Sequence, residues 1–124
     1  MIKMDKKIPG EAYSDFIRAR FWLTDGVNSY VGIGRVELLE KVHELGSINK
    51  AAQSMSMSYK KAWKIIEEMN SMFDEPLLVK VTGGKSGGGS VLTEQGLKVV
   101  KNYRAIEREL KDFLVGKSEQ LFLE

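Results

Sequence analysis

The chain has 124 residues, 43% of them apolar and 29% charged, an ordinary mix for a single domain with a real core. Its net charge of +2 argues for no partner, the absence of cysteine excludes disulfides and cysteine-ligated metals, and the lone His43 cannot build a histidine metal site. No apolar run reaches the length of a membrane span and "MIKMDKKIPGE" lacks the apolar stretch of a signal peptide, so the expectation is a cytoplasmic protein without membrane contact.

Residues 1–11 read as a flexible N-terminus. In "DFIRARFWLTDGVNSYVG", Ile17, Ala19, Phe21 and Leu23 alternate with Phe16, Arg18, Arg20 and Trp22. This period of two predicts a strand, and Asp25-Gly26 predicts a hairpin turn into a second strand at 29–31. "GIGRVELLEKVHELG" predicts a helix with Val36, Leu38, Leu39, Val42 and Leu45 on one face and Gly46 as its stop. Ser47 is placed to cap a short helix burying Ile48, Ala51, Ala52 and Met55. After a tight break at Ser56-Met57, Ser58 caps a third helix with Ala62, Ile65, Ile66, Met69 and Phe73 on its inner face. Pro76 ends it, "LLVKV" and "SVLT" are short strands, and Thr93 caps a long last helix with Glu94 in its first turn. Val99, Tyr103, Ile106, Leu110 and Phe113 form a seam along that helix, suited to dimerisation. Residues 116–124 read as a short tail, leaving 12–115 as one domain.

Two helices joined by so short a turn make a helix-turn-helix, and a hairpin directly after the second is a wing. The expected fold class is therefore mostly α with small β hairpins: a winged helix-turn-helix with an N-terminal β-hairpin and a long C-terminal dimerisation helix. The glycine-rich stretch "VTGGKSGGGSVLT" at 81–93 ends like a phosphate-binding P-loop at Gly84-Lys85-Ser86, but that motif needs glycine where Val79 stands and a helix where more glycines follow. It fits a wing tip better, with Gly83, Gly84, Lys85, Ser86, Gly87, Gly88 and Gly89 near DNA and Lys85 reaching a phosphate or the minor groove.

Charge placement supports this. Between residues 45 and 66 there is no acid, while Lys50, Lys60, Lys61 and Lys64 fall there. The first turns of a recognition helix meet base edges in the major groove, which assigns that role to Ser58, Tyr59, Lys60, Lys61 and Lys64. Glu67 and Glu68 follow where the helix leaves the groove. Trp63 lies off the apolar stripe and reads as packing under the wing, with contact to a thymine methyl as the alternative. The methionines read as core filling. No nucleophile–base–acid set has a local signature, so neither an enzyme nor a cofactor is expected.

"GSINKAAQSMSMSYKKAWKIIEEMN" followed by "PLLVKVTGGKSGGGSVLTEQG" resembles the DNA-binding region of the ModE family of molybdate-responsive transcription regulators, over about residues 12–115. "EPLLVK" and "LTEQG" are also similar to the wider LysR-type winged helices. The resemblance implies a homodimer on a palindromic operator of double-stranded DNA, regulating molybdenum transport or molybdenum-enzyme genes. Full-length family members carry an oxyanion-binding region after the long helix; this sequence runs to Glu124, so no small-molecule effector is expected to bind it. Two alternatives remain: a DNA-binding adaptor whose effector is sensed by a partner protein, and direct oxyanion binding by the glycine loop. The second is disfavoured because the loop offers one lysine and no rigid donors.

Overall fold

The computed structural model describes residues 8–81 and 89–121. The order of elements is β1 (Glu11–Ala12), β2 (Arg18–Ala19), β3 (Leu23–Thr24), β4 (Tyr30–Val31), α1 (Ile33–Leu45), α2 (Ile48–Ser54), α3 (Tyr59–Asn70), β5 (Leu78–Val81), β6 (Gly89–Leu92) and α4 (Glu94–Leu121). The strands form three antiparallel pairs, β1 with β2, β3 with β4 and β5 with β6. Helices dominate, and the architecture is a winged helix-turn-helix with N-terminal hairpins and a long C-terminal helix. The chain divides into two compact units, Trp22–Arg104 and a smaller one made of Met1–Phe21 with Ala105–Glu124.

The larger unit holds the apolar core. Val36, Leu38, Leu39 and Val42 of α1, Ala51 and Ala52 of α2, and Ala62, Ile66 and Met69 of α3 are fully buried. Leu77, Leu78 and Leu92 close the core from the wing side, and Val99 and Tyr103 do so from the first turns of α4. α2, α3 and α4 each begin where a side chain satisfies a free N–H group, whereas α1 starts at Gly32 without a side-chain cap. Ser47 Oγ accepts from Lys50 N–H at 3.1 Å, Ser58 Oγ from Lys61 N–H at 3.0 Å, and Thr93 Oγ1 from Gly96 N–H at 3.1 Å. The Thr93 hydroxyl also donates to Pro76 O at 2.7 Å, fixing the start of α4 beside the start of β5. α1 ends on Gly46, whose φ of 71° is the left-handed conformation that glycine adopts without a side-chain clash. Arg104 grips Glu40 through two hydrogen bonds of 2.9 and 2.7 Å, joining α4 to α1.

In the smaller unit, Glu11 pairs with Ala19 and Ala12 with Arg18. Ser14 builds the intervening turn by accepting from Phe16 N–H and Ile17 N–H, and its hydroxyl donates to Ser118 Oγ on α4 at 2.8 Å. Tyr13 and Ser118 are its buried side chains among the described residues.

Four expectations change. The alternation from Phe16 to Leu23 is not one strand but parts of two hairpins, because Ser14 turns the chain early and closes the first pair at Arg18–Ala19. Residues 1–7 lie outside the described residues, but residues 9–11 are engaged: Arg18 donates to Pro9 O and Gly10 O, and Glu11 is in β1. Residues 116–121 continue α4 rather than forming a tail, anchored by buried Ser118. Leu45, at the last turn of α1, is 38% exposed and does not join the inner face.

Candidate nucleic-acid interface

α2 and α3 are joined by four residues, Met55, Ser56, Met57 and Ser58, and the geometry of that joint aims α3. Ser56 N–H donates to Gln53 O at 3.1 Å and Met57 N–H to Ala52 O at 3.0 Å. This paired pattern closes α2 in the manner of a Schellman motif, which requires a left-handed residue between the helix and the exit. Ser56 supplies it with φ of 56°, an unfavourable conformation for a residue with a Cβ. Ser58 then starts α3 immediately; its cap is worth about 1 kcal/mol.

The residues that follow divide cleanly by face. Ala62, Ile66 and Met69 are buried, while Ser58, Tyr59, Lys60, Lys61 and Lys64 are exposed together on the first turns of α3. Lys50 on α2 is also exposed. The far end of α3 is tied down differently. Arg35 of α1 pairs with Glu68 at 2.9 Å and lies 4.1 Å from the centre of the Tyr30 ring, and Ser29 Oγ donates to Glu68 O at 2.9 Å. The acidic end of α3 is thus engaged with the protein, and its basic end is presented to solvent.

The wing begins and ends on well-defined strands. Leu78 pairs with Leu92, Val79 with Val91, Lys80 with Ser90 and Val81 with Gly89. Ser90 N–H donates to Gly46 O at 3.0 Å, pinning the root of the wing to the corner between α1 and α2. The expected tip residues Gly83, Gly84, Lys85, Ser86, Gly87 and Gly88 lie outside the described residues. Gly89 is described, and the fold gives it a packing reason of its own. A Cβ there would collide with Gly46 O, so a glycine is needed for packing between wing root and helix corner.

Near the basic face, Lys80 was not among the expected contacts, and Trp63 was expected to pack under the wing, with a thymine contact as the alternative. Trp63 is half-buried on α3, and Lys80 of β5 places its Nζ 5.2 Å from the centre of the Trp63 ring. The expectation of packing under the wing fits this contact. Lys80 could have been found from the alternation of β5, since positions 78 and 80 share a side and Leu78 is buried.

The expected dimerisation seam divides. Val99 and Tyr103 are 4% and 1% exposed, spent on the chain's own core, whereas Ile106 and Phe113 are 43% and 60% exposed and Leu110 is half-buried. Only the last three leave apolar surface on offer. Among the described residues no cluster of His, Asp and Glu could hold a metal ion, and no helix is long and apolar enough to cross a membrane.

The family described as bacterial regulatory helix-turn-helix protein, lysR family, matches residues 33–97, from α1 to the first turn of α4. The chain is 44% identical over 103 residues to the molybdenum transport protein ModE of Azotobacter vinelandii, covering 83% of this chain and 38% of that protein. It is 45% identical over 74 residues to the transcriptional regulator ModE of Haemophilus influenzae, covering 60% and 29%. To the DNA-binding transcriptional dual regulator ModE of Escherichia coli K12 it is 42% identical over 69 residues, covering 56% and 26%. The chain therefore spans between about a quarter and two fifths of the length of these relatives.

Proposed function

We propose that this chain, which belongs to the LysR-type family of bacterial regulatory helix-turn-helix proteins, binds duplex DNA sequence-specifically and regulates transcription of molybdenum-related genes. The observation that carries the reading is the exposed row Ser58, Tyr59, Lys60, Lys61 and Lys64 on the first turns of α3, directly after a tight turn. Phosphates attract the lysines regardless of sequence, while hydroxyls and ammonium groups on the same turns can read acceptors in the major groove. The link to molybdenum rests on the names of the relatives and the resemblance of the wing sequence.

The same reading makes the regulator a homodimer that uses Ile106, Leu110 and Phe113, so that two α3 helices meet two half-sites of a palindrome. Lys85 and the glycines around it serve as the wing contact. The test is selection of bound fragments from a genomic DNA pool, followed by titration of the chosen duplex at several salt concentrations. The expected result is a short palindromic consensus enriched near molybdenum-related genes, with affinity falling steeply as salt rises. Recovery of fragments without a shared sequence, or binding indifferent to salt, would rule the proposal out.

A further inference from the structure

Lys80 stands apart from the other lysines near the basic face because its side chain is already held. Its backbone is paired with Ser90, and Ser90 N–H is bonded to Gly46 O, so β5 is fixed through β6 to the helix corner. Its ammonium lies over the face of Trp63, within the range where a ring quadrupole attracts a cation. Trp63 in turn sits on α3 between Lys60 and Lys64 in sequence, one turn beyond Tyr59. No carboxylate among the described residues pairs with Lys80. Among the described residues its charge is therefore uncompensated, and its position is restricted from two sides.

We propose that Lys80 is a phosphate-binding residue of the DNA interface and that Trp63 is the positioning residue that holds it ready. The inference rests on the DNA-binding reading above. A lysine free in water must give up side-chain freedom to hold a phosphate, and long side chains lose the most. Resting on the indole restricts Lys80 before DNA arrives, and an ammonium seated on a ring face keeps N–H groups directed away from the ring. The contact also couples wing and recognition helix, so that a shift of β5 relative to α3 misplaces the cation.

The experiment uses the full 124-residue chain and the duplex recovered by selection, titrated at several salt concentrations. One phosphate contact contributes about 0.9 to the slope of log K against log salt. Lys80→Ala should lower the slope by that amount for each bound protomer and weaken all sequences alike, and Lys80→Arg should restore it. Trp63→Phe, which keeps a ring face, should retain the slope. Trp63→Leu should reduce it, and in that background Lys80→Ala should remove less than it does from the parent. An unchanged slope in Lys80→Ala overturns the proposal outright, and this exposed position leaves folding intact. Full additivity of Lys80→Ala and Trp63→Leu overturns the positioning role, as does an altered preference at one base pair with the slope unchanged, which would place the ring on a base. Absence of salt-dependent binding by the parent chain would instead bring down the DNA-binding reading and this inference with it.

Discussion

α4 contributes residues Glu94 to Arg104 to the larger unit and Ala105 to Leu121 to the smaller, and the two stretches differ in what their apolar residues do. The apolar spacing is the same along both. In the first region Val99 and Tyr103 are enclosed by the core; in the second Ile106 and Phe113 stand in solvent. Periodicity reports that a helix has an apolar stripe, but not what covers it. Here the stripe serves the chain's own fold first and is then left open, which is the apolar surface that the proposed dimer contact uses.

The contrast can be broken most directly at Tyr103. Tyr103→Ala removes a fully buried ring and should cost about 3–5 kcal/mol of stability, read by urea or thermal unfolding. Phe113→Ala, at a 60% exposed position, should cost under about 0.5 kcal/mol in dilute solution. Equal losses at the two sites would erase the distinction. A second measurement sharpens it. Phe113→Asp should weaken self-association at least tenfold, equivalent to about 1.4 kcal/mol, while leaving the unfolding midpoint of the dilute protein in place. Sedimentation showing the parent chain monomeric at micromolar concentration would remove the outer stripe's assigned role.

The smallest effect concerns pH in the smaller unit. Burial, and then the charges of Glu107 and Glu11, push the Tyr13 phenol above its ordinary value of 10.0. Its folded-state pKa exceeds the unfolded one, so the stability it contributes is complete below pH 10 and is lost as pH rises through the folded-state value. Ultraviolet titrations of the parent chain and of Tyr13→Phe should therefore differ by a phenol that ionises later than free tyrosine, with the β1–β2 hairpin of the parent loosening as it does. A Tyr13 titration at or below the ordinary value would show that the hairpin does not shelter it.

Much of the larger unit was legible in the residues because its signals are local. Ser47, Ser58 and Thr93 cap the helices they precede, and each apolar stripe falls near where spacing put it. The smaller unit was not, because it depends on contacts between distant parts of the chain. Nothing in the neighbourhood of Ser14 announces that its hydroxyl will meet Ser118, 104 residues away. Nor does Gly116 stop α4, although glycine is a common helix terminator; the buried Ser118 beyond it keeps the helix going. At the interface, α3 could be read from charge and capping, but the function of Gly89 could not. Its neighbours make it look like one more wing glycine, and only the approach of Gly46 O gives it a separate reason.

The left-handed Ser56 has a mechanical consequence. Of the two corners that flank α2, one turns on glycine and the other on serine, so they are hinges of unequal stiffness. Glycine has many backbone states within reach if its hydrogen bonds loosen; serine has few, and the one it occupies is narrow. A glycine at position 56 would relieve local strain, yet it would widen the range of angles at which α3 leaves α2. Serine there makes α2 and α3 a stiffer bracket, which on the DNA-binding reading proposed above favours discrimination between closely related sequences over accommodation of all of them.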